Sequence, residues 1–149
     1  MFDVVSPLLA RDYRFFDAAR KAAGDSDFKV HVGAVACYKG KVVASASSTN
    51  KTHPMQYTYN KYRGDFKQVG TCLPKAHAEI RLISKLKKLD IPMKDVSVYV
   101  YRACKSRAFG IARPCAACRK ALIEIGIRRF YYTTDEGYCL EVINQKEGV

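Results

Sequence analysis

Two short motifs, well separated along the chain, constrain its fold more than any other feature. His77-Ala78-Glu79 opens one run of helical character, and Pro114-Cys115-Ala116-Ala117-Cys118 opens another. Imidazole and thiolate are the usual ligands of zinc, and a two-residue gap lets two thiolates grip one ion. If these side chains cooperate, the two helices must lie side by side with their N-termini level. A lone His-x-Glu carries little information, and a lone Cys-x-x-Cys suggests a metal or a redox pair without naming an enzyme. The combination, in this order and with each half opening a helix, is far more specific.

The rest of the pattern supplies a scaffold for that convergence. Residues 8–23 read as an amphipathic helix, with Leu9, Tyr13, Phe16 and Arg20 on one side and Ala19 and Ala23 close by. Residues 30–38 and 41–47 read as two strands joined by the two-residue turn Lys39-Gly40. Residues 50–75 form a long polar segment without a clear period, and such loops in a compact domain are usually functional or disordered. Residues 76–89 read as a helix with Ile80, Ile83 and Leu86 buried and Leu89 at the end of that stripe. A strand over 96–101 follows, then a helix over 114–125 with Pro114 at its first position and Gly126 after its end. Residues 128–133 are a further strand. Residues 138–143 either run back as a final antiparallel strand or form a short helix, and the strand is favoured. A hairpin followed by strand–helix alternation implies an α/β fold, a three-layer α/β/α sandwich around one mixed sheet.

Length and charge narrow the class. A chain of 149 residues suits a single domain spanning 1–149 with one core. Its apolar runs are too short to span a membrane, so no membrane partner is expected. The start of the chain lacks the basic and apolar segments of a secretory signal. Its six cysteines therefore read as thiols or metal ligands, with the cytoplasm as the default location. The formal net charge of +12 favours phosphorylated or polyanionic partners, although a basic surface can serve solubility alone.

At the paired motifs, three protein ligands would leave one tetrahedral corner open, the mark of a catalytic zinc. Cys115 at a helix N-terminus has its thiolate favoured by the helix dipole, and the same argument covers His77. Glu79, two residues from His77, is placed for general acid and base work rather than ligation. Two alternatives stand beside this reading. One is a structural site with Cys72, Cys104 or His53 as fourth ligand, and the other is a redox Cys-x-x-Cys.

His-x-Glu followed by Pro-Cys-x-x-Cys is the signature of zinc-dependent base deaminases. From about Val30 to Thr134 the chain resembles the cytidine deaminase-like superfamily, which holds cytidine and deoxycytidylate deaminases, tRNA adenosine deaminases and APOBEC-type editors. The resemblance implies a cytidine deaminase-like fold, His77, Cys115 and Cys118 as zinc ligands, and Glu79 as the proton shuttle. It implies that the Ala78 backbone N–H meets the base carbonyl and that the Arg113 carbonyl accepts from the reacting amino group. Asn50 matches an asparagine that holds sugar or base, with a turn or cap role as its alternative. It also implies self-association into a homo-oligomer. Free cytidine deaminases carry cysteine as first ligand and an acidic residue two places after that asparagine. Here those places are His77 and Thr52, which favours a phosphorylated substrate or a polynucleotide.

Substrate contacts are expected around the zinc mouth. Residues 50–75 interleave Tyr57, Tyr59, Tyr62 and Phe66 with Lys51, Lys61, Arg63 and Lys67, and Lys105, Arg107, Phe109 and Arg113 repeat the theme. Aromatic faces stack on bases and cations meet phosphates, or the tyrosines pack on the core of a solvated loop. Strand alternation sends only one of Tyr131 and Tyr132 towards the pocket, and Tyr132 is the candidate. Three functions compete: a zinc deaminase of a cytosine nucleotide, the same chemistry on cytosine or adenine in single-stranded DNA or RNA, and a non-catalytic zinc-stabilised module that binds nucleic acid. Only the first two need Glu79.

Overall fold

The computed structural model describes residues 3–4, 9–28, 30–62, 76–103, 112–134 and 137–143. The hairpin forms as its turn chemistry requires. Strands β2 (Val32–Tyr38) and β3 (Lys41–Ser47) pair antiparallel, and Lys39 and Gly40 between them take φ of 49° and 78°. Two successive positive φ angles suit the right-handed twist of the flanking strands. β2 is buried along nearly its whole length, which explains its unbroken run of small and apolar residues.

Among the described residues the sheet has six strands in the order β1-β6-β5-β4-β2-β3, with β1 at Asp3–Val4, β4 at Ser97–Arg102, β5 at Arg129–Thr134 and β6 at Gly137–Val142. Only β4 and β5 run parallel, and the other neighbours are antiparallel. The last segment is therefore the favoured strand, with Tyr131 opposite Leu140 and Tyr132 opposite Cys139.

Helices cover both faces. On one lies α1 (Ala10–Ala23), whose Phe15, Phe16, Ala19 and Ala23 pack on Val35, Tyr99, Tyr101 and Tyr131. The buried stripe is rotated from the expected one: Leu9 and Tyr13 are 59% and 52% exposed, while Asp12 is buried. The cause is polar. One oxygen of Asp12 accepts the Leu9 backbone N–H at 3.0 Å, closing the helix start, and the other accepts the Tyr99 hydroxyl at 2.6 Å. That hydroxyl bond and burial hold the Tyr99 phenol far above its ordinary pKa, burial being the larger cause. Gly33 sets the distance between α1 and the sheet. A Cβ there would stand 2.1 Å from the Ala19 carbonyl oxygen and 2.3 Å from the Ala23 nitrogen.

On the opposite face lie α3 (Ala78–Leu86) and α4 (Ala116–Glu124), packed on Ala34, Ala36, Val98, Val100, Phe130 and Tyr132. α3 buries Ile80, Ile83 and Leu86 as expected and Leu82 as well, but it ends before Leu89, which is 38% exposed. Gly126 follows α4 with φ of 104°, a conformation that favours glycine. The polar segment after β3 is not all loop: Pro54–Tyr59 form a short helix, α2, continued by a 3₁₀ turn over Asn60–Tyr62. The architecture is the expected three-layer sandwich. Among the described residues no helix is long and apolar enough to cross a membrane.

Candidate active site

The two motif helices meet at their N-termini. His77 is the N-cap of α3 and Cys115 the N-cap of α4, each with extended backbone before the first helical residue. Pro114 thus precedes the cap rather than occupying the first helical position. This entry points three donors at one spot. His77 Nδ1 lies 3.2 Å from Cys118 Sγ and 3.6 Å from Cys115 Sγ, and all three donor atoms fall within 4.8 Å of one another. Around a tetrahedral zinc, a nitrogen at about 2.0 Å and a sulfur at about 2.3 Å stand about 3.5 Å apart. The donor set fits zinc, and the two nitrogen–sulfur separations bracket that value.

The electrostatics agree. The Cys118 thiol and then the His77 imidazole hold the Cys115 thiol down at a pKa of about 4, against the penalty of its burial. Cys37, buried under α1 without such neighbours, is instead pushed up to about 12 by desolvation. The first thiol is a ready ligand and the second an inert packing group. Beside the ligands lies Glu79, 5% exposed. Burial raises its carboxyl well above the usual carboxylate range, the His77 imidazole opposing and the Cys115 sulfur adding to the shift. A cleft of about 340 Å³ opens over this group, lined by His77, Ala78, Glu79, Arg113 and Cys115 together with Phe28, Val30, Val32, Ser48, Arg102 and Ala112.

Residues 10–134 match the family model described as "Cytidine and deoxycytidylate deaminase zinc-binding region". The chain belongs to this deaminase family. Solved structures with the same fold include the dCMP deaminase of the cyanophage S-TIM5, crystallised with dCMP and dUMP, at 16% identity and a TM-score of 0.57 over 87% of this chain and 85% of that one. The cytidine deaminase of Burkholderia pseudomallei aligns at 18% identity and a TM-score of 0.56 over 87% and 91%. A comparison with curated protein sequences finds no match. The protein is a zinc deaminase, with zinc as its cofactor.

The structure brings some expected site residues of the deaminase together and places others apart. His77, Cys115, Cys118, Glu79, Ala78 and Arg113 share one locality. Asn50 is exposed just beyond β3, outside the cleft lining, and its backbone N–H donates to Asp27 Oδ1 at 2.9 Å. Tyr132 does face the zinc helices while Tyr131 stacks on Tyr99, at 4.2 Å and 6°. Tyr132 is 1% exposed, however, and its hydroxyl donates to Glu141 rather than lining the cleft. His53 stands outside the ligand group: its Nδ1 accepts the Met55 N–H at 3.0 Å at the start of α2, and its Nε2 meets the Ser84 hydroxyl at 3.2 Å. Cys72, Cys104, Arg63, Phe66, Lys67, Lys105, Arg107 and Phe109 lie outside the described residues.

Two supporting residues escaped the sequence reading. Gln56 on α2 is fully buried, and its Oε1 accepts the backbone N–H of His77 at 3.0 Å, fixing the cap from which the imidazole projects. Glu141 on β6 is fully buried between two guanidinium groups, Arg113 Nε at 3.1 Å and Arg119 Nε at 2.8 Å. It ties the residue before Pro114 and the first turn of α4 to β6. Neither belongs to a motif. Gln56 sits in a stretch without period, and Glu141 in a strand whose pairing alone shows it to be interior.

Proposed function

We propose that the protein deaminates the cytosine of a cytidine or deoxycytidine nucleotide, giving the uracil nucleotide and ammonia. The observation that carries this reading is the convergence of one imidazole and two thiols within 4.8 Å, with a buried carboxylic acid in the same cleft. A site that merely held the fold together would have no use for Glu79. The acid is costly to bury, and a carboxyl whose affinity for protons is raised towards neutrality can both accept and return one.

The reaction breaks the bond from C4 to the exocyclic nitrogen and makes one from C4 to the oxygen of water. His77, Cys115 and Cys118 would hold zinc, which would supply Lewis acidity toward the water. Glu79 takes one proton of the attacking water, delivers it to the ring nitrogen N3, and then carries the proton of the new C4 hydroxyl to the departing amino group, which leaves as ammonia. The Ala78 N–H and the Arg113 carbonyl, both on residues that line the cleft, orient the base through its carbonyl and amino groups. Asn50, exposed, and Tyr132, buried beside Glu141, stand outside the cleft lining and are assigned no contact with the base. The volume of about 340 Å³ suits one nucleotide. His77 and Thr52, where free cytidine deaminases carry cysteine and an acid, support a phosphorylated substrate, as does the net charge of +12.

A second reading is the same chemistry on cytosine or adenine within single-stranded DNA or RNA. It is favoured by Tyr57 and Tyr62, 65% and 40% exposed, and by Lys61 and Lys120, which stand 5.3 and 5.7 Å from the Tyr62 ring. A screen for ammonia release over cytidine, its mono- and triphosphates, their deoxy forms, adenosine, and single-stranded DNA and RNA separates the two. Turnover confined to the strands would replace the first reading by the second, and turnover of adenosine alone would overturn the cytosine-nucleotide reading.

A further inference from the structure

The charged residues of the deaminase cleft are unevenly committed. Glu79 is buried beside the zinc ligands. Arg113 is held through its Nε by Glu141. Arg102, the last residue of β4, also lines the cleft and is exposed. Its backbone N–H donates to Thr133 Oγ1 at 3.4 Å, but among the described residues no carboxylate pairs with its guanidinium. The stretch that follows it closely, from Cys104 to Ile111, contains no acidic residue in its sequence. The cleft thus offers one uncommitted, permanently charged fork on a rigid strand end.

We propose that Arg102 binds the phosphate of the substrate and makes the enzyme select a nucleotide over the corresponding nucleoside. The proposal rests on the cytosine-nucleotide reading above and adds the residue that enforces it. A guanidinium meets two phosphate oxygens at once, which a lysine cannot do with the same geometry. β4 is an interior strand; Arg102 pairs with Val32 of β2, and on the β5 side its backbone N–H reaches the Thr133 hydroxyl, so its Cα is held from both sides. Phe28, Val30 and Val32 offer an apolar wall for the sugar and base, and Glu79 and Arg102 line the same cleft.

The test compares zinc-loaded wild type with Arg102→Ala and Arg102→Lys on CMP against cytidine, and on dCMP against deoxycytidine. Removing one charge-assisted phosphate contact should raise KM for the monophosphate about 10- to 100-fold and shrink the nucleotide-to-nucleoside ratio of kcat/KM accordingly. Arg102→Lys should recover part of that ratio. An unchanged ratio in Arg102→Ala, with wild type still turning over nucleotides, overturns the role of Arg102 and leaves the nucleotide reading standing. A wild type that turns over the nucleoside as well as the nucleotide also overturns it, since nothing is then selected. Failure of wild type on every cytosine substrate removes the nucleotide reading itself, and the proposal with it.

Discussion

Each residue at the centre of the site has a separable duty, so single substitutions should fail in different ways. Glu79→Gln keeps the shape of the buried side chain and removes its capacity to take a proton. Turnover should fall by about 10²–10⁴-fold or more while zinc content and thermal stability stay near those of the wild type. Metal analysis beside an ammonia assay checks this, and retained activity would remove Glu79 from the reaction. Cys115→Ser attacks the metal instead. A hydroxyl lacks the depressed pKa that the Cys118 thiol and His77 imidazole give Cys115, so the purified variant should hold far less than one zinc per chain. Full occupancy would refute its role as a ligand. These residues were legible in the sequence because metal chemistry restricts both residue type and spacing. Gln56 and Glu141 were not, because a residue that supports another from across the fold leaves no local pattern.

Elements converge on the site through a few close approaches. α1 rests on β2 only because Gly33 has no side chain. Gly33→Ala would drive a methyl group into the helix backbone, which has no rotamer with which to yield, and should cost about 3 kcal/mol or more. Chemical denaturation measures it; a loss under about 1 kcal/mol would mean that α1 shifts freely on the sheet. α2 acts on the other face. Gln56→Ala would strip the acceptor from the His77 N–H and leave a small cavity, costing about 1–3 kcal/mol of stability. Because that N–H belongs to the cap bearing the imidazole, zinc should also leave faster under a chelator. Zinc release at the wild-type rate would reduce Gln56 to packing. The strands and the two motif helices were readable from period and turn chemistry. α2 was not, being only Pro54–Tyr59 with Gln56 as its buried residue, too short and too polar to show a stripe. The rotation of α1 was hidden for a related reason: Asp12 is polar by type and interior by virtue of its bond to Tyr99.

At the scale of the whole molecule the dominant quantity is charge, +12 over 149 residues. Such a charge favours polyanions, because each phosphate neutralised releases a condensed counterion. On α2 and the 3₁₀ turn after it the charge is accompanied by exposed aromatic rings, Tyr57 and Tyr62, with Lys61 and Lys120 close to the latter. The zinc-loaded protein should therefore bind a single-stranded oligonucleotide, with log affinity falling linearly against log salt. If about five phosphates are neutralised, a slope near −3.5 weakens binding by roughly 100-fold between 50 and 200 mM salt. A mononucleotide makes one such contact, so its affinity should change only a few-fold over the same range. Fluorescence anisotropy with a labelled strand, read beside the salt dependence of KM for a monophosphate, measures both. A flat response for the strand would show that the basic surface does not follow a nucleic-acid backbone.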